Sequence, residues 1–98
     1  MIVEHALLPV APGRGHEFRA AFAEAKAIVA SMPGFVGLRL SRGIEDPDTY
    51  LLLIEWDQLT DHTEGFRDSP EYRRWRELLH HFYDPFPEVT HFDPVDAV

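Results

Sequence analysis

The chain has 98 residues, enough for one domain around a single core. Its 45% hydrophobic and 12% aromatic content argues against disorder, and the absence of cysteine rules out disulfides and thiolate metal sites. A formal charge of −8 argues against a nucleic-acid backbone as partner, and no apolar stretch is long enough to span a membrane.

The opening segment "MIVEHALLPV" alternates loosely over Ile2–Val10 and is mostly apolar on both sides, with Ile2, Ala6 and Leu8 against Val3, His5 and Leu7. That pattern is a strand covered on both faces. Its apolar run is broken by Glu4, His5 and Pro9 and has no basic lead-in, so it does not read as a signal peptide, and a cytoplasmic location is the expectation. "APGRG" is a turn, its spacing matching neither a P-loop nor a dinucleotide fingerprint. From about His16 to Ser31, Phe18, Phe22, Ala25, Val29 and Met32 recur at helical steps and form one apolar stripe. "MPGF" stops this helix, because Pro33 disfavours the α region at Met32 and Gly34 turns the chain.

A second strand over Phe35–Arg42 leads through the hairpin loop "GIEDPD" to a third, Thr49–Trp56. Helical spacing then resumes. Asp57 is the expected N-cap of a short helix with Leu59, His62 or Thr63, and Phe66 along one side. Ser69 and Pro70 begin another helix with a stripe of Tyr72, Trp75, Leu79 and Phe82. "EVTHFDPV" is a fourth strand, with Val89 and His91 on one face and Thr90 and Phe92 on the other. Residues 1–98 thus form a single α+β domain of order βαββαβ, the ferredoxin-like arrangement with an antiparallel four-stranded sheet and helices on one face. The uncovered face is also apolar, so a homodimer packed sheet on sheet is expected, with a cavity between sheet and helices in each subunit.

Three stretches, "MPGF", "YLLLIEWDQLTDHTEGF" with Trp56 and His62, and "SPEYRRW", resemble the antibiotic biosynthesis monooxygenase (ABM) domain family of the dimeric α/β-barrel superfamily. The likeness runs from Ile2 to about Pro94. The family's haem-degrading branch relies on an Asn in the first strand and a Trp and His in later helices. Here His5 falls near the Asn position and Trp75 or Arg76 near the His position, a departure from that branch. The resemblance instead implies a quinol oxygenase that needs no cofactor. In that chemistry a deprotonated substrate passes an electron to dioxygen, and the protein supplies a base, a dry aromatic pocket and proton donors.

His62 and His5 are the candidate catalytic residues. An imidazole at position 62 could take a phenolic proton, or could bond a carbonyl or carboxylate and fix its helix. His5 interrupts an apolar strand face and so meets either a cavity or a partner, with His91 a possible neighbour. Trp56 walls the cavity or packs in the core; Phe66 and Tyr72 shape the substrate pocket, together with His91. His80 and His81 are adjacent on a helix and point about 100° apart, so no metal site is expected of them. The expectation is a homodimer that oxidises a small aromatic quinol or phenol with dioxygen and no metal or flavin. The alternative is a dimeric module, stress-associated or otherwise, that binds such a molecule without turning it over.

Overall fold

A computed structural model describes residues 1–98. The elements are β1 (Ile2–Pro9), α1 (Gly15–Ala30), β2 (Phe35–Arg42), β3 (Thr49–Trp56), a π-helical turn (Asp61–Phe66), α2 (Pro70–Leu79) running into a 3₁₀ turn (His80–Phe82), and β4 (Val89–Phe92). The sheet is antiparallel in the order β2-β3-β1-β4. This is the expected α+β, ferredoxin-like fold.

The register of β1 on β3 decides which side chains meet the helices. Pairs Ile2–Trp56, Glu4–Ile54, Ala6–Leu52 and Leu8–Tyr50 share one face, and Val3–Glu55, His5–Leu53 and Leu7–Leu51 share the other. On the first face Ala6, Leu8, Tyr50, Leu52, Ile54 and Trp56 are buried against the α1 stripe of Phe18, Phe22, Ala25 and Val29. Phe18 sits at the centre, its ring 5.0 Å from that of Tyr50 and 5.6 Å from that of Phe82. Each large apolar side chain taken fully from water contributes roughly 1.5–3 kcal/mol, so this layer is the main source of stability.

Local chemistry sets the boundaries. Ser69 Oγ accepts a 3.2 Å hydrogen bond from the Tyr72 amide and Pro70 occupies the first turn of α2, as its sequence signature requires. Gly34 has φ +83°, and a Cβ there would lie 2.1 Å from Asp61 Oδ2, so only glycine permits this turn beside the π-helical segment. One expectation is corrected: Asp57 does not cap the helix that follows β3. Its amide donates to Gly34 O at 2.8 Å, and Asp61 Oδ2 instead accepts from the Gln58 amide at 2.9 Å. The segment also winds wider than an α-helix, the Arg67 amide reaching back five residues to His62 O at 3.1 Å.

The second face of the sheet carries no helix. Leu7 and Phe92 are 53% and 56% exposed there, beside half-buried Val3, His5 and Leu53. No helix is long and apolar enough to cross a membrane.

Candidate functional site

Between the inner face of the sheet and α2 lies a cavity of about 380 Å³. The sheet contributes Glu4, Ala6, Leu8 and Leu52, the π-helical turn His62, Phe66 and Arg67, and α2 Tyr72 and Trp75. His80, Tyr83 and Phe86 lie around it from the segment that follows α2. A mostly apolar wall with a few convergent polar groups is the usual character of a small-molecule site.

The polar groups gather at one end. Glu4 is 5% exposed, and its Oε1 accepts a hydrogen bond from Trp56 Nε1–H at 3.0 Å. His62 Nε2 lies 3.3 Å from the same oxygen, and His62 Nδ1 lies 2.8 Å from His91 Nε2. The imidazole of His62 stacks on the Trp56 indole, with centroids 5.7 Å apart and planes at 21°. The fold explains the meeting: β4 sets His91 directly opposite Glu4 on β1, and the buried side of the π-helical turn brings His62 down onto the pair.

Burial dominates the charges here. It pushes the Glu4 carboxyl up to about 7, against the Trp56 hydrogen bond and the positive field of Arg67, both of which favour the carboxylate. Burial pushes His62 down to about 3, and the nearby Arg67 and His91 add to that effect, so His62 is a neutral imidazole around pH 7. His91 is also lowered, by burial and then by Arg67. His62 Nε2 faces Oε1 without forming a hydrogen bond, and where Nε2 carries the proton His62 Nδ1 is left to accept from His91 Nε2–H. The Trp56 indole donates to Oε1, and the His62 ring faces that same oxygen. No side-chain hydrogen bond reaches Oε2, and no fully buried side-chain oxygen is without a partner, so Oε2 is open to the cavity.

The structure brings together four of the residues singled out from the sequence and parts two from the cavity. His62, Phe66 and Tyr72 line it, and His91 backs His62. His62 lies against a carboxylate and is hydrogen-bonded to His91. Two expectations need correction. Trp56 is not on the cavity wall: it is fully buried and reaches the site through its hydrogen bond to Glu4 and its stacking on His62. His5 is not at the cavity either. Strand alternation sends positions 4, 6 and 8 inward and position 5 to the opposite face, where its ring meets Phe92 edge-on at 5.4 Å. Its partner on β4 is Thr90, so His91 is a neighbour of Glu4 and not of His5.

Sequence reasoning missed Glu4 and Arg67. Glu4 had a visible signal: it is in phase with Ile2, Ala6 and Leu8, the one charged residue on a strand face that must be buried. Arg67 had none, because its direction depends on the winding of the π-helical turn.

Comparison with known proteins agrees with this architecture. The family model for antibiotic biosynthesis monooxygenase, ABM, matches residues 1–78. The uncharacterized protein YczJ of Bacillus subtilis is 48% identical over 95 residues, covering 97% of this chain and all of that one. A crystal structure from Bordetella bronchiseptica ascribed to the same family superposes with a TM-score of 0.91 at 34% identity, over 96% of each chain. SnoaB of Streptomyces nogalater, a cofactor-independent oxygenase, has the same fold, with a TM-score of 0.86 at 21% identity over 99% of this chain and 95% of that one.

Proposed function

Since this chain belongs to the antibiotic biosynthesis monooxygenase family, we propose that it is a monooxygenase that oxidises a small aromatic quinol or phenol with dioxygen and without a cofactor, and that Glu4 is its base. The observation that carries the reading is Glu4 itself: a buried carboxyl poised near neutrality, with one oxygen held by Trp56 beside His62 and the other open to an apolar cavity. A base with a pKa near the working pH combines ionisation with useful proton affinity. His62, held neutral, lies against Glu4 and orients it.

The proposed chemistry balances without another reactant. Glu4 takes the proton of a substrate hydroxyl, and the resulting anion, delocalised to a ring carbon that still bears hydrogen (para in an anthrone, ortho in a hydroquinone), passes one electron to dioxygen. The substrate radical and superoxide recombine, forming a carbon–oxygen bond, and Glu4 returns its proton to the peroxide. Loss of the remaining hydrogen on that carbon as a proton, with cleavage of the O–O bond, leaves a carbonyl and releases one water. Phe66, Tyr72 and Trp75 shape a slot for the flat ring. A second copy of the chain covering the open face, with Leu7 and Phe92 in the contact, belongs to the same proposal.

The test is oxygen consumption with a panel of anthrones and hydroquinones, with and without chelator. Chelator-resistant uptake giving a quinone is expected, and Glu4→Gln, which keeps an acceptor for Trp56, should lower it by at least about 100-fold with no fall in melting temperature. Tight binding of the panel with no uptake by any member would replace this reading with that of a binding module.

A further inference from the structure

We propose that this cavity selects planar ligands bearing an anionic group beside the reacting hydroxyl, and that Arg67 is the residue that recognises the anion; the inference rests on the aromatic-ligand reading above. Arg67 lines the cavity from the same turn as His62 and Phe66. Its side chain makes no hydrogen bond, and neither ion pair of the chain, Arg14–Glu17 or Arg74–Glu24, includes it. Arg67 is exposed at the cavity mouth, and of the nine Lys and Arg residues it alone lines the cavity. Its field reaches the polar end of the site, since it acts on Glu4, His62 and His91 alike.

The geometry needs both groups. Glu4 Oε2 is an acceptor and suits a ligand O–H, but an anion placed against it alone would be repelled once Glu4 ionises. Arg67 offers the planar fork of donors that matches a carboxylate. The apolar walls at Ala6, Leu52 and Phe66 leave the ring between them. The net charge of −8 repels anions at long range, so selectivity for one depends on a local cation. The ligand class is therefore a hydroxylated aromatic acid rather than a neutral phenol.

The experiment compares 3-hydroxy-2-naphthoate with its uncharged amide by calorimetry at pH 7 on the full chain. The naphthoate should bind about tenfold tighter, a rim-located charge pair falling between exposed and buried values. Arg67→Gln should remove the preference by weakening the naphthoate alone, and Arg67→Lys should restore part of it. Binding of the naphthoate should also take up a proton, because its charge offsets the field of Arg67 on Glu4; His62 and His91 on one side and Tyr72, His80 and Tyr83 on the other are the further titratable groups around the site. Glu4→Gln should abolish that uptake while keeping the preference. Equal affinities in the wild type, no binding of either ligand, or a preference that survives Arg67→Gln would overturn the inference. If neutral quinols are oxidised while Arg67→Gln changes nothing, the monooxygenase reading stands and this one falls. If the naphthoate is preferred through Arg67 and no quinol is oxidised, the reverse holds.

Discussion

Glu4 and His5 are adjacent in the chain and lie in different surroundings. The first faces helices, a stacked indole–imidazole pair and a cavity; the second faces outward with Phe92 and two leucines. Both faces of the sheet are rich in apolar residues, so hydrophobicity does not distinguish them. They differ in what becomes of a polar group. On the inner face the carboxyl is stripped of water, which moves its proton affinity to neutrality against the opposing hydrogen bond from Trp56. On the outer face His5 is half-buried, edge-on to Phe92. Chemistry follows the covered face because desolvation happens there.

The largest expected effect uses that desolvation directly. Glu4 has a folded pKa of about 7 against an ordinary 4.5, so the folded state holds its proton longer than the unfolded one. Its neutral form is the favoured one in the fold: this contribution is full below pH 4.5 and is lost as pH rises to about 7, by at most about 3 kcal/mol. His62 has the opposite slope, since its lowered pKa makes stability fall as pH drops from 6.5 toward 3. The two slopes oppose each other between pH 4.5 and 6.5. Urea melts of wild type and Glu4→Gln across that range should therefore diverge, the variant gaining on the wild type as pH rises. Parallel curves would mean the carboxyl is not desolvated as described.

A smaller effect concerns the open face. Leu7→Asp places a charge among exposed apolar residues without touching the cavity, and should weaken a sheet-on-sheet dimer at least about tenfold in sedimentation equilibrium, a buried unpaired charge being costly. A wild type that is monomeric at all concentrations would remove the partner from the proposal. The smallest effect is expected at His5. His5→Ala should change turnover less than about twofold and stability by no more than about 0.5 kcal/mol, as surface substitutions do. A loss comparable to that of Glu4→Gln would erase the distinction between the faces.

Most of the fold was legible in the residues. The Phe18–Val29 stripe, the Ser69–Pro70 start and the alternation of Val89–Phe92 each rest on local periodicity or capping, and each appears where that chemistry puts it. The site was half legible. His62, Phe66 and Tyr72 are brought to the cavity by helical spacing, which a sequence displays. The pairing of His91 with Glu4 depends on the register between the first and last strands, separated by most of the chain, and no local pattern encodes it. His5 attracted attention as a polar interruption, while the interruption that mattered was the residue before it.

The π-helical turn has a consequence for how such a site could be altered. In an α-helix, residues five apart point roughly 140° away from each other. Closing the turn through the bond from the Arg67 amide to His62 O holds one more residue per turn and swings position 67 back above position 62, so an imidazole and a guanidinium look into the same space. What places the charge in this cavity is thus the match between the winding of the turn and the number of residues in it. A chain one residue shorter between Asp61 and Phe66 would wind as ordinary α-helix with the two positions four apart, roughly 40° from each other, and keep its positive charge over the cavity; the same length wound as α-helix would turn that charge away.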